Sequence, residues 1–511
     1  MEQAITAPRY YVGIDLALRA KHVARLVDDR GRPVRGPLRF GHTYDEMEAM
    51  FEAVTARVPD GCTLAWGCEA TGAAWKPVTA FLLGRDQDVS LENPADIAAL
   101  RDVENRFFKN DQVDAATIAQ MLLLKDLRGK PFLPIPSPAH QAMRCLARDI
   151  EKLTNELTRV KTRLTSLLCD LMLPSLNPSE HQFSSPTLLR VLNKYADPRD
   201  IARKTLSAFI KSAKKTGGPS TSETALSKLH AAASDAVRCY GADWFDYDTH
   251  AFRLRDTILA ITQLQDRINM ARERLQTPLS AARTETDVEH GLTVPGVGRA
   301  TFDMLVAFYG PVKQWAPFKA MKRVAGLVPI VDESGNTDNK RRMSKLGEPA
   351  LRKIIFQIGN VARRCDAYAA AIYYDQMVNK AKGHVAACIK TGLHALNCLR
   401  AVLREGREYQ YRDPATGDPI TREQSRQLAL TVYVVPEEVR AARAKHKRNA
   451  HAEPKQALQA QQSDTEPVQT MDDASGPTPV TLQQSHTKPK TKHSSRSQGK
   501  QKRQPRQVTP K

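Results

Sequence analysis

The sequence predicts several folded units: a mixed α/β domain first, a region of long helices next, a mostly helical domain after it, and a basic tail. Three observations predict this order. Short apolar runs alternate with helical patterns at the start of the chain, apolar residues then recur at helical spacing over about four heptads, and Gln, Ser, Thr, Pro, Lys and Arg dominate the end. A chain of 511 residues is also longer than one hydrophobic core usually supports.

The amino-terminal domain, residues 9–135, carries the α/β pattern. One apolar run ends on Asp15, a second covers residues 22–27, and a third follows after a turn. A helical stretch comes next, then a strand that ends at Glu69, then helix, strand and helix. Hairpin strands followed by alternating strands and helices are typical of a mixed sheet with helices packed on it.

The middle region, residues 138–285, contains two long helical stripes. Apolar residues occupy every third or fourth position of residues 141–173, which is a heptad seam typical of a coiled coil. A second stripe runs from Leu254 to Leu275. The two helices can pair within the chain as a helical hairpin or across subunits, and the sequence leaves both open. Residues 175–250 between them are predicted to be an insertion with short helices.

The carboxy-terminal domain, residues 288–405, is predicted to be mostly helical and opens with Val-Pro-Gly-Val-Gly at 294–298. This motif resembles the turn of a helix-hairpin-helix module, in which glycines let backbone N–H groups approach a phosphate. We therefore predict that Gly296 and Gly298 contact nucleic acid. A plain glycine turn between two helices is the alternative.

The charge of the chain points to a polyanionic partner. Lys and Arg number 76 against 56 Asp and Glu, a net charge of +20, which favours nucleic acid or an anionic membrane. No apolar run reaches the ~20 residues that span a bilayer, and the first residues form no signal segment. We therefore expect a cytoplasmic protein without a membrane partner. The tail, residues 440–511, is predicted to be disordered and to grip nucleic acid electrostatically.

The cysteines give weaker information. The eight cysteines form no CxxC pair, which fits a reducing compartment. His384 with Cys388, and His394 with Cys398, stand four residues apart and could bind zinc. A helix face with small buried side chains is the favoured interpretation.

Four carboxylates form the first candidate site. Asp15 and Glu69 each end an apolar strand, while Asp111 and Asp114 share one face of a predicted helix because they are three residues apart. Such a cluster needs cations, since close like charges repel. Oxygen ligands near phosphates favour Mg²⁺, with Mn²⁺ as a substitute, and a pair of such ions can activate one oxygen and stabilise another. Taken singly, each acid could instead be a turn or helix-capping residue.

A loop serine beside a basic run forms the second candidate site. Ser334 precedes a glycine in a polar loop, and a hydroxyl there can attack a phosphodiester while nearby cations steady the developing charge. Ser344 is a rival nucleophile or a phosphate hydrogen-bond donor, and a plain turn-forming role is open for either serine. The basic residues predicted to contact nucleic acid are Lys340, Arg341, Arg342 and Lys345.

These motifs together resemble the insertion sequence 110 family of transposases. Gly-Ile-Asp-Leu-Ala at 13–17, Cys-Glu-Ala-Thr-Gly at 68–72 and Lys-Asn-Asp-Gln-Val-Asp-Ala at 109–115 resemble the family's amino-terminal DEDD domain. The motif at 294–298 and the segment from Ala-Gly-Leu-Val-Pro at 325 to Leu-Arg at 351–352 look like its carboxy-terminal Transposase_20 domain.

The resemblance implies a fold and a mechanism. The amino-terminal domain would have a RuvC-like, RNase H-type fold, in which Asp15, Glu69, Asp111 and Asp114 bind Mg²⁺. Ser334 would be the nucleophile that forms a transient phosphoserine link to DNA. The resemblance also implies a composite site, a dimer or tetramer supported by the coiled coil, donor and target DNA as substrates, and guidance by a structured non-coding RNA.

The leading hypothesis is a recombinase that excises and inserts its element in the bacterial cytoplasm, at the nucleoid. A metal-dependent nuclease or Holliday-junction resolvase that uses only the carboxylates is one alternative. An inactive nucleic-acid-binding remnant is another, although the presence of all four acids and the serine argues against it.

Overall fold

The computed structural model describes residues 8–69, 72–104, 111–130, 135–172, 183–330 and 342–443. Several predicted features therefore lie outside the described residues: the tail from residue 444 onward, and Ser334, Lys340 and Arg341 of the second candidate site. The side chains of Asp111 and Arg342 lie outside them as well, although the backbone of both is described.

A mixed sheet forms the centre of the amino-terminal domain. Among the described residues it has five strands in the order β3-β2-β1-β4-β5, and the helices α1 to α4 accompany it. Strand β1 is antiparallel to β2 and parallel to β4, and β4 is parallel to β5. The prediction of a mixed α/β domain is thus confirmed. The elements are β1 (Arg9–Asp15), β2 (His22–Val27), β3 (Leu38–Phe40), α1 (Tyr44–Thr55), β4 (Thr63–Glu69), α2 (Trp75–Leu83), β5 (Asp88–Glu92), α3 (Pro94–Glu104) and α4 (Asp111–Leu127).

The two faces of this sheet are covered by different helices. Successive residues of a strand point to opposite faces, so Val12 and Trp66 lie on one face, in a core with α1 and α2. Tyr11 and Ala65 lie on the other face, in a smaller core with Leu122 of α4. We call this second side of the sheet the α4 face.

Two long helices pair within the chain. They are antiparallel, because Leu164 shares a core with Leu254, while Met143 shares another with Leu279. Of the two pairings left open by the sequence, the structure shows the helical hairpin. The short helices of the insertion pack into the core that contains Leu164. The elements are α5 (Pro138–Met172), α6 (Pro186–Lys194), α7 (Pro198–Ala202), α8 (Leu206–Gly217), α9 (Glu223–Tyr240) and α10 (Tyr247–Ala282).

The rest of the described chain is mostly helical, as predicted. Its core joins Phe302, Leu351 and Leu396 to the ends of α5 and α10. No helix of the described residues is both long and apolar enough to cross a bilayer. The elements are α11 (Glu285–Thr293), α12 (Arg299–Tyr309), α13 (Phe318–Val324), β6 (Pro329–Ile330), β7 (Arg342–Met343), α14 (Pro349–Ala362), α15 (Ala367–Met377), α16 (His384–Glu405) and α17 (Arg422–Thr431).

Candidate active site

Asp15 and Glu69 stand side by side at one edge of the sheet. Ile14 pairs with Cys68 in the parallel register of β1 and β4, and each acid is the next residue of its strand. By strand alternation both belong to the α4 face, and both are half-buried. The strand-end pattern in the sequence therefore identified two carboxylates that the fold places next to each other.

Helix α4 approaches this edge closely because β1 carries a glycine. A Cβ atom at Gly13 would stand 2.0 Å from the carbonyl oxygen of Ala115 and 2.4 Å from the amide nitrogen of Ala119. At the other end of α4, the Tyr11 hydroxyl donates a hydrogen bond of 2.6 Å to Asp126. The helix therefore runs opposite to β1, and its first turn, with Asp114, faces the edge where Asp15 lies.

Asp114 is held by an arginine of the preceding helix. The Arg101 guanidinium donates a hydrogen bond of 2.9 Å to the Asp114 carboxylate, and both side chains are mostly buried. This hydrogen bond is the first cause that raises the pKa of Arg101, and the negative charges of Asp102 and Glu69 add to it. Arg101 thus lies within electrostatic reach of two of the candidate metal ligands.

The donor chemistry of the acids fits a hard divalent cation, since all four predicted ligands offer carboxylate oxygens. Within the side chains that the structure describes, however, no three His, Cys, Asp or Glu residues already form a metal-binding group. Asp111 begins α4 three residues before Asp114, but its side chain lies outside that set. The structure therefore brings three predicted acids to one region and places an arginine on one of them.

Glu92 is a further carboxylate that the sequence analysis missed. It pairs with Glu69 in the register of β4 and β5, so it ends its strand on the same face. Its side chain is fully buried, ion-paired to Lys125 of α4, and it accepts a hydrogen bond of 3.0 Å from the Ser90 hydroxyl. The available signal was the same as for Glu69, an acid at the end of an apolar strand.

A small hairpin carries the second candidate site. Strands β6 and β7 pair through Pro329 with Met343 and Ile330 with Arg342, and the Ser344 amide donates a hydrogen bond of 2.9 Å to Val328. Residues 331–341, which include Ser334, connect these strands and lie outside the described residues. The structure therefore shows the base of the segment that bears the serine.

The base of this hairpin is packed tightly through glycines. A Cβ atom at Gly347 would stand 2.4 Å from the carbonyl oxygen of Val324 and 2.5 Å from the amide nitrogen of Gly326. The Arg352 side chain donates hydrogen bonds to the carbonyl oxygens of Ala325 and Gly347, at 3.2 and 3.1 Å. Ser344 is half-buried, while Lys345 is exposed and takes a positive φ of 53°.

The two glycines of the Val-Pro-Gly-Val-Gly motif have different surroundings. The motif joins α11 to α12. A Cβ atom at Gly296, where φ is +85°, would stand 2.4 Å from the carbonyl oxygen of Ile358, so this glycine lets the turn pack on α14. Gly298 precedes α12 and faces open space. Contact of either glycine with nucleic acid stays a prediction.

The His–Cys pairs lie on α16 and contact each other within the helix. The Cys388 sulfur lies 3.6 Å from Nδ1 of His384, and the Cys398 sulfur lies 3.5 Å from Nε2 of His394. The Tyr373 hydroxyl is 2.8 Å from the same His384 nitrogen. Neither pair belongs to a metal-binding group of three within the described residues.

Comparison with known proteins gives one family match near the start of the chain and a second match in its latter half. The model of a transposase family with the DEDD domain of the IS110 type matches residues 12–173, which span the sheet domain and α5. The model described as the transposase IS116/IS110/IS902 family matches residues 290–375, which include both the glycine motif and the hairpin.

Two curated relatives agree with these matches. The 43.6 kDa protein of insertion element IS110 from Streptomyces coelicolor is 27% identical over 123 residues, which are 24% of this chain and 30% of that relative. The 42 kDa protein of insertion element IS900 from Mycobacterium paratuberculosis is 23% identical over 415 residues, which are 80% of this chain and 98% of that relative. The DEDD domain also indicates dependence on a divalent metal ion. With both family domains present in order, the chain belongs to the IS110 family of transposases.

Proposed function

We propose that this protein is a recombinase that excises and inserts its own element by cleaving and rejoining DNA strands. One observation carries the proposal. Asp15 and Glu69 end adjacent parallel strands, and α4 packs closely on Gly13 of β1, so that its first turn, with Asp114, faces the same edge. The strand order β3-β2-β1-β4-β5 supports the RNase H-like fold that the sequence resemblance implies.

Asp15, Glu69, Asp111 and Asp114 are proposed to hold Mg²⁺, or Mn²⁺ in its place. When bound, such an ion stabilises the charge that develops on oxygen during phosphoryl transfer. The carboxylates of this chain bind and orient it. Because Glu92 is buried and paired with Lys125, we assign it to the scaffold rather than to the ligand set.

Ser334 is proposed to be the nucleophile. Its hydroxyl loses a proton and attacks a DNA phosphorus; the bond from phosphorus to a deoxyribose oxygen breaks, and that oxygen takes up a proton. The resulting phosphoserine ester keeps the energy of the broken bond. A deoxyribose hydroxyl of the recombining strand then attacks the same phosphorus and releases the serine, so that no net hydrolysis occurs.

The partners follow from the resemblance and the charge. Donor and target DNA are the substrates, a structured non-coding RNA is the proposed guide, and a dimer or tetramer is the proposed assembly in the bacterial cytoplasm at the nucleoid. Gly296, Gly298, Ser344, Lys345 and the basic run beside Ser334 are proposed to contact phosphates. A net charge of +20 supports binding to nucleic acid.

The test is a covalent-adduct assay with matched serine variants. Wild-type protein, element-end DNA, guide RNA and Mg²⁺ should give a protein–DNA adduct that survives denaturation. Ser334→Ala should abolish the adduct, Ser344→Ala should retain it, and excess chelator should prevent it. If Ser334→Ala still cleaves DNA at the wild-type rate, the protein is a nuclease or resolvase that uses the carboxylates alone.

A further inference from the structure

Arg101 places a positive charge inside a site that is proposed to bind cations. It lies in the last turn of α3, its guanidinium is 2.9 Å from the Asp114 carboxylate, and the side chains of the pair are only 22% and 18% exposed. The negative charge of Glu69 also acts on it. One guanidinium therefore contacts one predicted metal ligand and lies within electrostatic reach of a second.

Electrostatics explains why a cation site would contain an arginine before it contains metal. Carboxylates brought together repel each other and become costly unless positive charge is supplied. A guanidinium remains protonated at any physiological pH, so Arg101 can supply that charge permanently. For the same reason it cannot leave by losing a proton, and it clears the site only by moving away.

We propose that Arg101 is the counter-ion of the metal-free site and that it releases Asp114 when a divalent cation binds. This inference rests on the proposed function, because it takes the acids as metal ligands. Arg101 and the cation then compete for the same carboxylate oxygens. The strength of the Arg101–Asp114 pair sets how much divalent cation the protein needs.

The position of Arg101 on its helix lowers the cost of releasing Asp114. The carboxy-terminal turn of a helix carries partial negative charge and favours cations, and Asp102, the next residue, contributes a negative charge close by. A guanidinium that leaves Asp114 therefore stays beside favourable charge. We expect the exchange to need a side-chain rotation on α3 and no change in the sheet.

A permanent positioning role for Arg101 predicts the opposite result. If Arg101 oriented Asp114 for the metal, its removal would weaken metal binding, as removal of outer-sphere partners generally does. If Arg101 competes with the metal, its removal strengthens binding. The sign of the change in metal affinity therefore separates the two roles without any measurement of catalysis.

The experiment is calorimetric titration of Mn²⁺ and Mg²⁺ into the full-length protein without nucleic acid. Arg101→Gln should bind the cation about tenfold more tightly than wild type, a coupling of ordinary size between two competing ligands. Arg101→Lys keeps the charge and should stay within about threefold of wild type. Arg148→Gln is the matched control, because Arg148 pairs with Glu348 at 2.8 Å outside the amino-terminal domain.

Thermal unfolding gives a second readout that also verifies folding. In excess chelator Arg101→Gln should unfold at a lower temperature than wild type, and saturating Mn²⁺ should close that gap. If Arg101→Gln binds the cation equally or more weakly while wild type binds it normally, the counter-ion role of Arg101 is overturned and the proposed function stays intact. A wild-type protein that binds neither cation would overturn both.

Discussion

Two of the ion pairs that join α4 to the rest of the amino-terminal domain differ in burial. Arg101–Asp114 keeps 22% and 18% of its side-chain surfaces exposed, whereas Lys125–Glu92 keeps 15% and none. Both pairs involve the same helix, and both acids lie near the edge that carries Asp15 and Glu69. Similar residue types therefore serve in two environments.

The difference in burial separates a pair that can exchange from a pair that cannot. A charge removed from water is costly unless its partner stays with it, so Glu92 and Lys125 hold β5 against α4 as a fixed unit. The less buried Arg101–Asp114 pair costs less to open, because water and ions can partly replace the lost partner. This contrast is the physical basis for assigning Glu92 to the scaffold and Asp114 to the cation site.

The largest expected loss of stability comes from breaking the buried Lys125–Glu92 pair. Lys125→Met should destabilise the domain by about 3–5 kcal/mol, because it leaves the Glu92 carboxylate buried without its cation. Arg101→Met should cost about 1 kcal/mol or less. Amide hydrogen exchange in β4 and β5, read by mass spectrometry, measures the opening free energy of this domain separately from the rest of the chain.

A paired replacement is the control for the Lys125 experiment. Lys125→Met combined with Glu92→Met removes both charges and should recover most of the loss, since a buried ion pair can be replaced by apolar side chains of similar volume. Equal destabilisation by Lys125→Met and Arg101→Met would contradict the contrast in burial.

The next largest effect is expected from a substitution that pushes α4 away from β1. Gly13→Ala should destabilise the domain by about 1–3 kcal/mol or more, because the added methyl group would meet the backbone of Ala115 and Ala119. Gly67→Ala is the matched variant: its Cβ atom would stand 3.0 Å from the Leu122 side chain, which can rotate away. Hydrogen exchange in α4 should therefore rise more for Gly13→Ala, and equal responses would show that the close backbone approach is unimportant.

Local patterns predicted much of this domain because the governing interactions are local. Asp15 and Glu69 could be found from the sequence, since an apolar strand that ends on an acid is visible in a few residues. The i,i+3 spacing likewise placed Asp111 and Asp114 on one helix face. The mixed sheet followed from the order of strand and helix patterns.

The features that the sequence did not predict depend on register and helix placement. Glu92 ends its strand as Glu69 does, but it is buried and its partner is Lys125, 33 residues away in the chain. The Arg101–Asp114 pair requires α3 and α4 to meet at one point. Phosphate contact at Gly296 stays a prediction, and the packing of this glycine on α14 could be seen only in the fold.

The smallest effect concerns a buried base with only one hydrogen-bonding nitrogen partnered. His22 is fully buried, and its Nδ1 accepts a hydrogen bond of 3.1 Å from the Ala17 amide, in the loop after Asp15. Its Nε2 has no hydrogen-bond partner among the described residues. Burial lowers the pKa of His22 from 6.5 to about 4, and the nearby His42 ring acts in the same direction.

The sign of the pH dependence follows from that lowered pKa. Between about pH 6.5 and pH 4 the unfolded chain binds a proton at His22 that the folded domain excludes, so stability falls as the pH falls through this range. The contribution is fully present above pH 6.5. His22→Gln should flatten this slope, since glutamine can accept the Ala17 hydrogen bond without titrating, while His42→Gln, at an exposed ring, should keep most of it. Opening free energies of β2 measured by hydrogen exchange across this pH range provide the comparison, and an unchanged slope in His22→Gln would assign the acid sensitivity to another group.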